Sequence, residues 1–285
     1  MKRYDVAVVG AGMAGASLAA ELAGEASVVL LEAEAAPGYH ATGRSAAFWT
    51  ESYGGPGIQP LTTASGPLLR DGGFLAPRGA LTIARAGQEA ALDRFAAGFA
   101  ALGVRIERLG RAEIAARIPG LRAEWTGGAL EPDCCDIDVA GLHQHYLARA
   151  KRAGAELLCS ARLVAAARDG AGWTLDLADG RRIAAGLLVD AAGAWADPVA
   201  GLAGLRPLGI APYRRTVAQL RTAPAPSPDL PLVLDLNEQF YFKPESGRLW
   251  LSPHDETPSP PCDAAPEEID VATAIDRLGQ VVDWR

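Results

Sequence analysis

Val6-Ala7-Val8-Val9-Gly10-Ala11-Gly12-Met13-Ala14-Gly15 is an apolar, β-branched run that ends in a GxGxxG loop. The run reads as a fully buried strand of a parallel sheet. Ala11 to Ala23, rich in alanine with Leu18 and Leu22, reads as a helix packed on that sheet, and Val28 to Leu31 as a second buried strand. A glycine pattern alone is weak in a chain with 32 glycines. Here it follows a strand, opens a helix and precedes an acid at the end of the second strand. Gly10 allows the tight turn, Gly12 lets backbone approach a pyrophosphate, and Gly15 lets helix and strand pack closely. The helix N-terminus offers free N–H groups and a favourable dipole to phosphates. Glu32 suits ribose hydroxyls and repels a 2′-phosphate. The unit is predicted to bind a dinucleotide.

Outward from this unit, Ala33 to Pro60 is rich in Gly, Pro, Ser and Thr, with a helical turn expected around Ser45 to Thr50. Helices are expected at Glu89–Leu102, Glu113–Arg117, Val139–Ala153 and Ile269–Leu278. Strands are expected at 156–158, 163–166, 173–177, 187–189 and 212–220, with Ala178-Asp179-Gly180 as a hairpin turn. Phe240-Tyr241-Phe242-Lys243 and Leu249-Trp250-Leu251 read as paired strands, with Tyr241 and Lys243 on one face and Phe240 and Phe242 on the other. No internal repeat is seen.

The 285 residues correspond to about two domains. Hydrophobic residues make up 49% and charged residues 21%, which excludes wholesale disorder. No apolar run reaches the ~18 residues of a membrane span. A net charge of −7 weighs against nucleic acid and anionic membranes as partners. Four cysteines without a CxxC fit reduced thiols in a cytoplasmic protein. Lys2 and Arg3 loosely imitate a secretory signal, but Asp5 interrupts the apolar run. His143 and His145 are two apart and diverge on a helix, so no metal site is expected.

The loop Gly38-Tyr39-His40-Ala41-Thr42-Gly43-Arg44-Ser45-Ala46-Ala47 bears on which dinucleotide is bound. Its small residues, hydroxyls and single Arg can wrap a pyrophosphate and reach the flavin ring of FAD. A simple NAD domain usually goes directly into another strand–helix unit. With that loop, Leu188-Val189-Asp190-Ala191-Ala192-Gly193-Ala194-Trp195 and Pro212-Tyr213-Arg214-Arg215-Thr216, in this order, the chain resembles the D-amino-acid-oxidase-like family of FAD oxidoreductases. Ser252-Pro253 and Pro258-Ser259-Pro260-Pro261-Cys262-Asp263 further resemble its D-arginine-dehydrogenase subgroup.

The resemblance implies an α/β fold: an FAD-binding, Rossmann-like parallel-sheet domain (1–72 and 137–205) and a mixed-sheet α+β substrate domain (73–136 and 206–285). It places Ala14 in the pyrophosphate loop with Gly10, Gly12 and Gly15, and Glu32 and Ala33 at the adenosine ribose. Ala41, Thr42, Gly43, Arg44, Ser45, Ala46, Ala47 and Phe48 run along the pyrophosphate towards the flavin. Leu163 matches an adenine contact, and Ala192 and Gly193 lie beside FAD. For substrate it points to Tyr53, Arg214 and Tyr241, with Arg214 gripping a carboxylate. Arg214 and Arg215 are neighbours, so only one can face the flavin.

Two departures from the subgroup matter. Phe48 stands where it has a His, and Gly79 where it has an acid that reads a guanidinium. A neutral or apolar D-amino acid is therefore expected as substrate, with an unknown electron acceptor. Family members also continue beyond Arg285 with a second carboxylate-binding Arg and a further flavin-covering loop, so the chain is expected to be a C-terminally truncated member. The expected reaction is hydride transfer from Cα to flavin, giving an imine that hydrolyses to a 2-oxo acid and ammonia. Oxidation of a secondary amine such as sarcosine or of a 2-hydroxy acid, an inactive cofactor-binding fragment, and the oxidase half of an RNA-modifying enzyme are the alternatives. The acidic balance disfavours the last.

Overall fold

The computed structural model describes residues 1–170 and 172–285. The chain divides into two compact units. The first comprises Met1–Ser45, Val139–Pro212 and Pro258–Asp263; the second comprises Ala46–Asp138, Tyr213–Thr257 and Ala264–Arg285.

The first unit is an α/β unit built on a six-stranded sheet. Its order is Leu163–Asp169, Gly172–Leu177, Arg182–Asp190, Lys2–Val9, Val28–Leu31 and Glu156–Leu158. The last four of these run parallel, and the first two join as an antiparallel extension. The apolar run is continuous because both sheet faces are covered. Val6, Val8, Val28 and Leu30 pack against Ala19 and Ala20 of the helix Met13–Leu22 and Ala150 of the helix Val139–Arg152. Ala7, Val9, Val29 and Leu31 pack the other way, with Leu163, Leu175 and Val199. A two-sided strand of this kind needs no polar alternation.

The second unit holds a seven-stranded mixed sheet. Its order is Ala218–Leu220, Arg248–Ser252, Tyr241–Glu245, Leu232–Asp235, Ala80–Arg85, Trp125–Glu131 and Glu107–Gly110. Only Leu232–Asp235 against Ala80–Arg85 is parallel. The two faces differ in chemistry. Phe240, Phe242, Leu249, Leu251, Leu81 and Ile83 bury one face under Ile114 and Ile118 and under the helix Glu268–Gly279. Tyr241, Trp250 and Leu232 lie on the opposite face with Phe48 and Cys134. The alternation read from 240–243 is thus the alternation the sheet adopts.

Some expectations need correction. Ser45–Thr50 does not form a helical turn; Phe48–Trp49 is a short strand pairing with Cys135–Ile137, which also pairs with Leu75–Pro77. The single strand expected over 212–220 is broken into Tyr213–Arg214 and Ala218–Leu220. Between them, the Thr216 N–H and hydroxyl both donate to Asp255, which draws the backbone away from a ladder. The helix Gln59–Asp71 was not anticipated. No helix among the described residues is long and apolar enough to cross a membrane.

Candidate active site

The glycine loop has the shape its spacing predicts. Gly10 sits at φ +97°, and a Cβ there would lie 2.4 Å from the Ala191 carbonyl oxygen. A Cβ at Gly15 would lie 1.9 Å from the Gly10 carbonyl oxygen, so this residue must be glycine for helix to meet strand. Gly12 is different. Among the described residues a Cβ there would meet one side-chain atom, Thr42 Oγ1, closely at 3.2 Å, and no backbone, so the missing side chain leaves the loop backbone open on its other sides. Gly12 is also the N-cap of the helix Met13–Leu22 and makes no side-chain cap. Of the first-turn donors, Met13 N–H is met by Thr42 Oγ1, and the Ala14 N–H in the second position receives no cap from Gly12.

Glu32 is buried, and it braces the loop. Its Oε2 accepts from Ala11 N–H at 3.1 Å and its Oε1 from Glu34 N–H at 2.9 Å. A carboxylate has about four acceptor positions, so two remain for hydroxyls. Met13 N–H donates to Thr42 Oγ1 at 3.0 Å, which ties Ala41–Arg44 to the helix start. Gly43 closes against the Gly38 carbonyl, 2.5 Å from where a Cβ would sit. Arg44 binds Asp263 at 2.5 Å and donates to the Tyr39 carbonyl. Ala33 and Ser45 are exposed beside this loop. Leu163 is buried at the start of its strand. Ala192 caps the 3-10 turn that begins at Gly193. An uncapped helix start, an open Gly12 cradle and a half-filled carboxylate together fit a dinucleotide.

His143 is a supporting residue that sequence reasoning passed over. It is buried, and its Nε2 donates to the Ala11 carbonyl at 2.8 Å. Its ring also fills the space beside Gly38, where a Cβ would come within 2.8 Å of Cε1. Its ring therefore serves the glycine loop, and the described residues hold no metal-ligand cluster.

Ala46, Ala47 and Phe48 belong to the second unit, with Tyr53, Arg214 and Tyr241. Phe48 meets Tyr53 and Tyr241 edge-on, with ring centroids 5.5 and 5.7 Å away. His254 completes the group, stacked 6.0 Å from Tyr53 and edge-on 5.6 Å from Tyr241. Burial raises the Tyr241 phenol above its usual range, against a hydrogen bond with Ser252 and, less, the charge of Arg215. Tyr241 thus stays a neutral donor at physiological pH.

The neighbouring arginines diverge. Arg214 bonds Glu267 at 2.5 Å and Asp270 at 2.9 Å. Arg215, paired with Glu256 at 2.5 Å, is the one whose charge reaches Tyr241. Of the three expected substrate residues, Tyr53 and Tyr241 come together around Phe48 and His254, Arg214 is paired with Glu267 and Asp270, and the charge of Arg215 reaches Tyr241.

Lys243 shares the Tyr241 face but is committed elsewhere. Its ammonium bonds Asp136 at 2.7 Å, and Asp136 also takes Arg78 at 2.7 Å. Gly79 sits at φ +74°, a conformation that an acidic residue would occupy only under strain. Burial pushes the Cys134 thiol far up, so it is no nucleophile at neutral pH.

Comparison with known proteins agrees with this fold. Over 99% of its length the chain superposes on each of three solved enzymes. Glycine oxidase from Geobacillus kaustophilus gives a TM-score of 0.81 at 25% identity, covering 99% of this chain and 79% of that one. L-proline dehydrogenase from P. horikoshii gives 0.83 at 19%, covering 99% and 78%. FAD-bound L-α-glycerophosphate oxidase from Mycoplasma pneumoniae gives 0.83 at 14%, covering 99% and 79%. A family model described as FAD dependent oxidoreductase, DAO, matches residues 5–282. With a dinucleotide loop of the right form and a match that spans nearly every residue, the chain belongs to the DAO family of FAD-dependent oxidoreductases.

Proposed function

We propose that the chain oxidises the Cα–N bond of a small α-amino acid with an uncharged side chain, in the D configuration. The observation that carries this reading is one sheet face. Phe48, Tyr53, Tyr241 and His254 form an aromatic wall there, and the charge of Arg215 reaches Tyr241. Glycine oxidase, at 25% identity, supports an amino acid as substrate. The D configuration rests on the family resemblance.

In this reading the first unit holds FAD through Gly10, Gly12, Ala14, Gly15, Glu32 and the Ala41–Ser45 loop. Bound FAD supplies a two-electron acceptor for the hydride that leaves Cα. Arg215 grips the substrate carboxylate through its planar fork, which fixes the direction of the Cα–H bond. Tyr241, kept protonated by burial, donates a hydrogen bond without adding charge. The aromatic rings exclude water and accept an apolar side chain, and Gly79 contributes no acid to attract a cationic one. No side chain acts as base: the neutral substrate amine expels the hydride, and water hydrolyses the imine to a 2-oxo acid and ammonia.

A panel of D- and L-amino acids, sarcosine and 2-hydroxy acids, assayed with an electron-accepting dye and by ammonia release, tests the proposal. Neutral D-amino acids should turn over best, with a rate that falls as the amine is protonated. Preference for 2-hydroxy acids, or a rate that does not fall at low pH, would overturn it.

A further inference from the structure

The reading above makes Tyr53 part of the substrate wall, and two residues, Glu131 beneath that wall and His254 within it, determine where its ring stands. Glu131, at the end of the strand Trp125–Glu131, is 1% exposed. Its carboxylate is filled by the segment just before Tyr53. Oε2 accepts from the Thr50 hydroxyl at 2.6 Å, the Ser52 hydroxyl at 2.5 Å and the Ser52 N–H at 3.1 Å. Oε1 accepts from the Glu51 N–H at 2.7 Å. A buried carboxylate is unfavourable unless its lone pairs are met, and here hydrogen bonds from three consecutive residues meet them. Residues 50–52 are thereby pinned.

The far end of Tyr53 is gripped as well. Its hydroxyl lies 3.2 Å from His254 Nε2. His254 Nδ1 lies 2.7 Å from the Glu238 carbonyl, which can only accept, so the proton sits on Nδ1. In the neutral ring Nε2 is then an acceptor, and the Tyr53 O–H donates to it. His254 is itself held with φ at +56°, a conformation rare for a residue with a Cβ, while its N–H donates to Ser252 Oγ at 3.0 Å.

We propose that Glu131 and His254 are positioning residues that hold Tyr53 as a fixed wall of the substrate site, with His254 kept in the Nδ1–H tautomer. The inference rests on the reading that this face receives substrate, but its first test does not. Histidine labelled with ¹⁵N in the full chain gives resonances for four imidazoles, and H254Q identifies the one of interest. We expect a protonated Nδ1 and an acceptor-type Nε2 at His254. Y53F should shift the Nε2 signal, and E131Q should shift it too by releasing the Thr50–Ser52 segment. T50V, which removes one donor, serves if E131Q does not fold. An Nε2–H tautomer, or a His254 signal indifferent to Y53F, overturns the inference.

The second test reads substrate. With a neutral D-amino acid, H254F should raise KM about five- to tenfold with a smaller change in kcat, as expected for one lost hydrogen bond. H254Q, which retains an acceptor, should recover most of the loss. An unchanged KM in H254F, with the NMR coupling intact, overturns the positioning role. Absence of amino-acid oxidation in the FAD-loaded parent instead overturns the proposed function, and the NMR result still decides whether Tyr53 is held.

Discussion

Gly12→Ala and Gly15→Ala separate the two jobs of the glycine loop. A methyl at position 15 would lie 1.9 Å from the Gly10 carbonyl oxygen, so helix and strand must part by more than about 1 Å. Overpacking of that kind costs about 2–3 kcal/mol, or roughly 5–10 °C in melting temperature for a chain of this class. Among the described residues a methyl at position 12 meets Thr42 Oγ1, at 3.2 Å, a tight contact with a side chain that can give way by a few tenths of an ångström. Gly12 is an N-cap, where Ala is somewhat worse than Gly, so the fold should lose less than about 1 kcal/mol. The same methyl would stand in the cradle, and a clash of about 1–3 kcal/mol weakens FAD about ten- to a hundredfold. The assay pairs thermal unfolding of the FAD-free variants with an FAD titration followed by flavin fluorescence. G12A should melt near the parent and bind FAD poorly, whereas G15A should lose both. If G12A bound FAD as the parent does, or G15A melted with the parent, the division of roles would be refuted.

Further outcomes follow from the same contacts. His143→Phe leaves the Ala11 carbonyl without its donor and should cost about 1–3 kcal/mol in a melting experiment, with weaker FAD binding; unchanged values for both would contradict the bracing role. Arg215→Met should raise KM for amino acids at least about tenfold with little change in melting temperature, whereas Arg214→Met, which strips Glu267 and Asp270 of their partner, should do the reverse. Interchanged effects would return the carboxylate to Arg214. Burial raises the Asp235 carboxyl above its ordinary range, against hydrogen bonds from the Gln239 and Asn237 N–H groups and, less, the charges of Arg85 and Arg277. The folded state then keeps that proton longer than the unfolded chain, so stability falls as pH rises from about 4 through the raised value. Asp235→Asn removes this term, and its melting advantage over the parent should grow between pH 4 and pH 7; a constant difference would contradict the burial effect.

Local signals carried the first unit, and long-range contacts hid much of the second. The β-branched run Val6–Val9, the three glycines and Glu32 interact within about 30 residues, so their pattern and their packing coincide. The strand Trp125–Glu131 escaped detection because Gly127 and Gly128 weaken any strand reading. The structure supplies the reason for one of them: a Cβ at Gly128 would come 2.9 Å from both Ile114 and Leu81. The helix Gln59–Asp71 is disguised by Pro60 near its start and by Gly66 and Pro67 inside. Gly66 is explained by the Trp49 ring, 2.9 Å from its missing Cβ.

The candidate site divides in the same way. Tyr53 and Tyr241 were named through resemblance, and the choice between Arg214 and Arg215 turned on acids at 256, 267 and 270 that no local pattern links to them. Glu131 reaches Thr50 across 81 residues and His254 reaches Tyr53 across 201. Neither had a sequence signal; only the Ser252-Pro253 match lay near His254.

The central claim joins an FAD-binding first unit to amino-acid oxidation, and one spectrum tests both. The purified chain, reconstituted with FAD and freed of excess, is scanned in the visible range and then mixed anaerobically with neutral D-amino acids. A flavin absorption band that bleaches on mixing is expected. A folded chain that retains no flavin after reconstitution, or a bound flavin that stays oxidised with every amino acid, would contradict it.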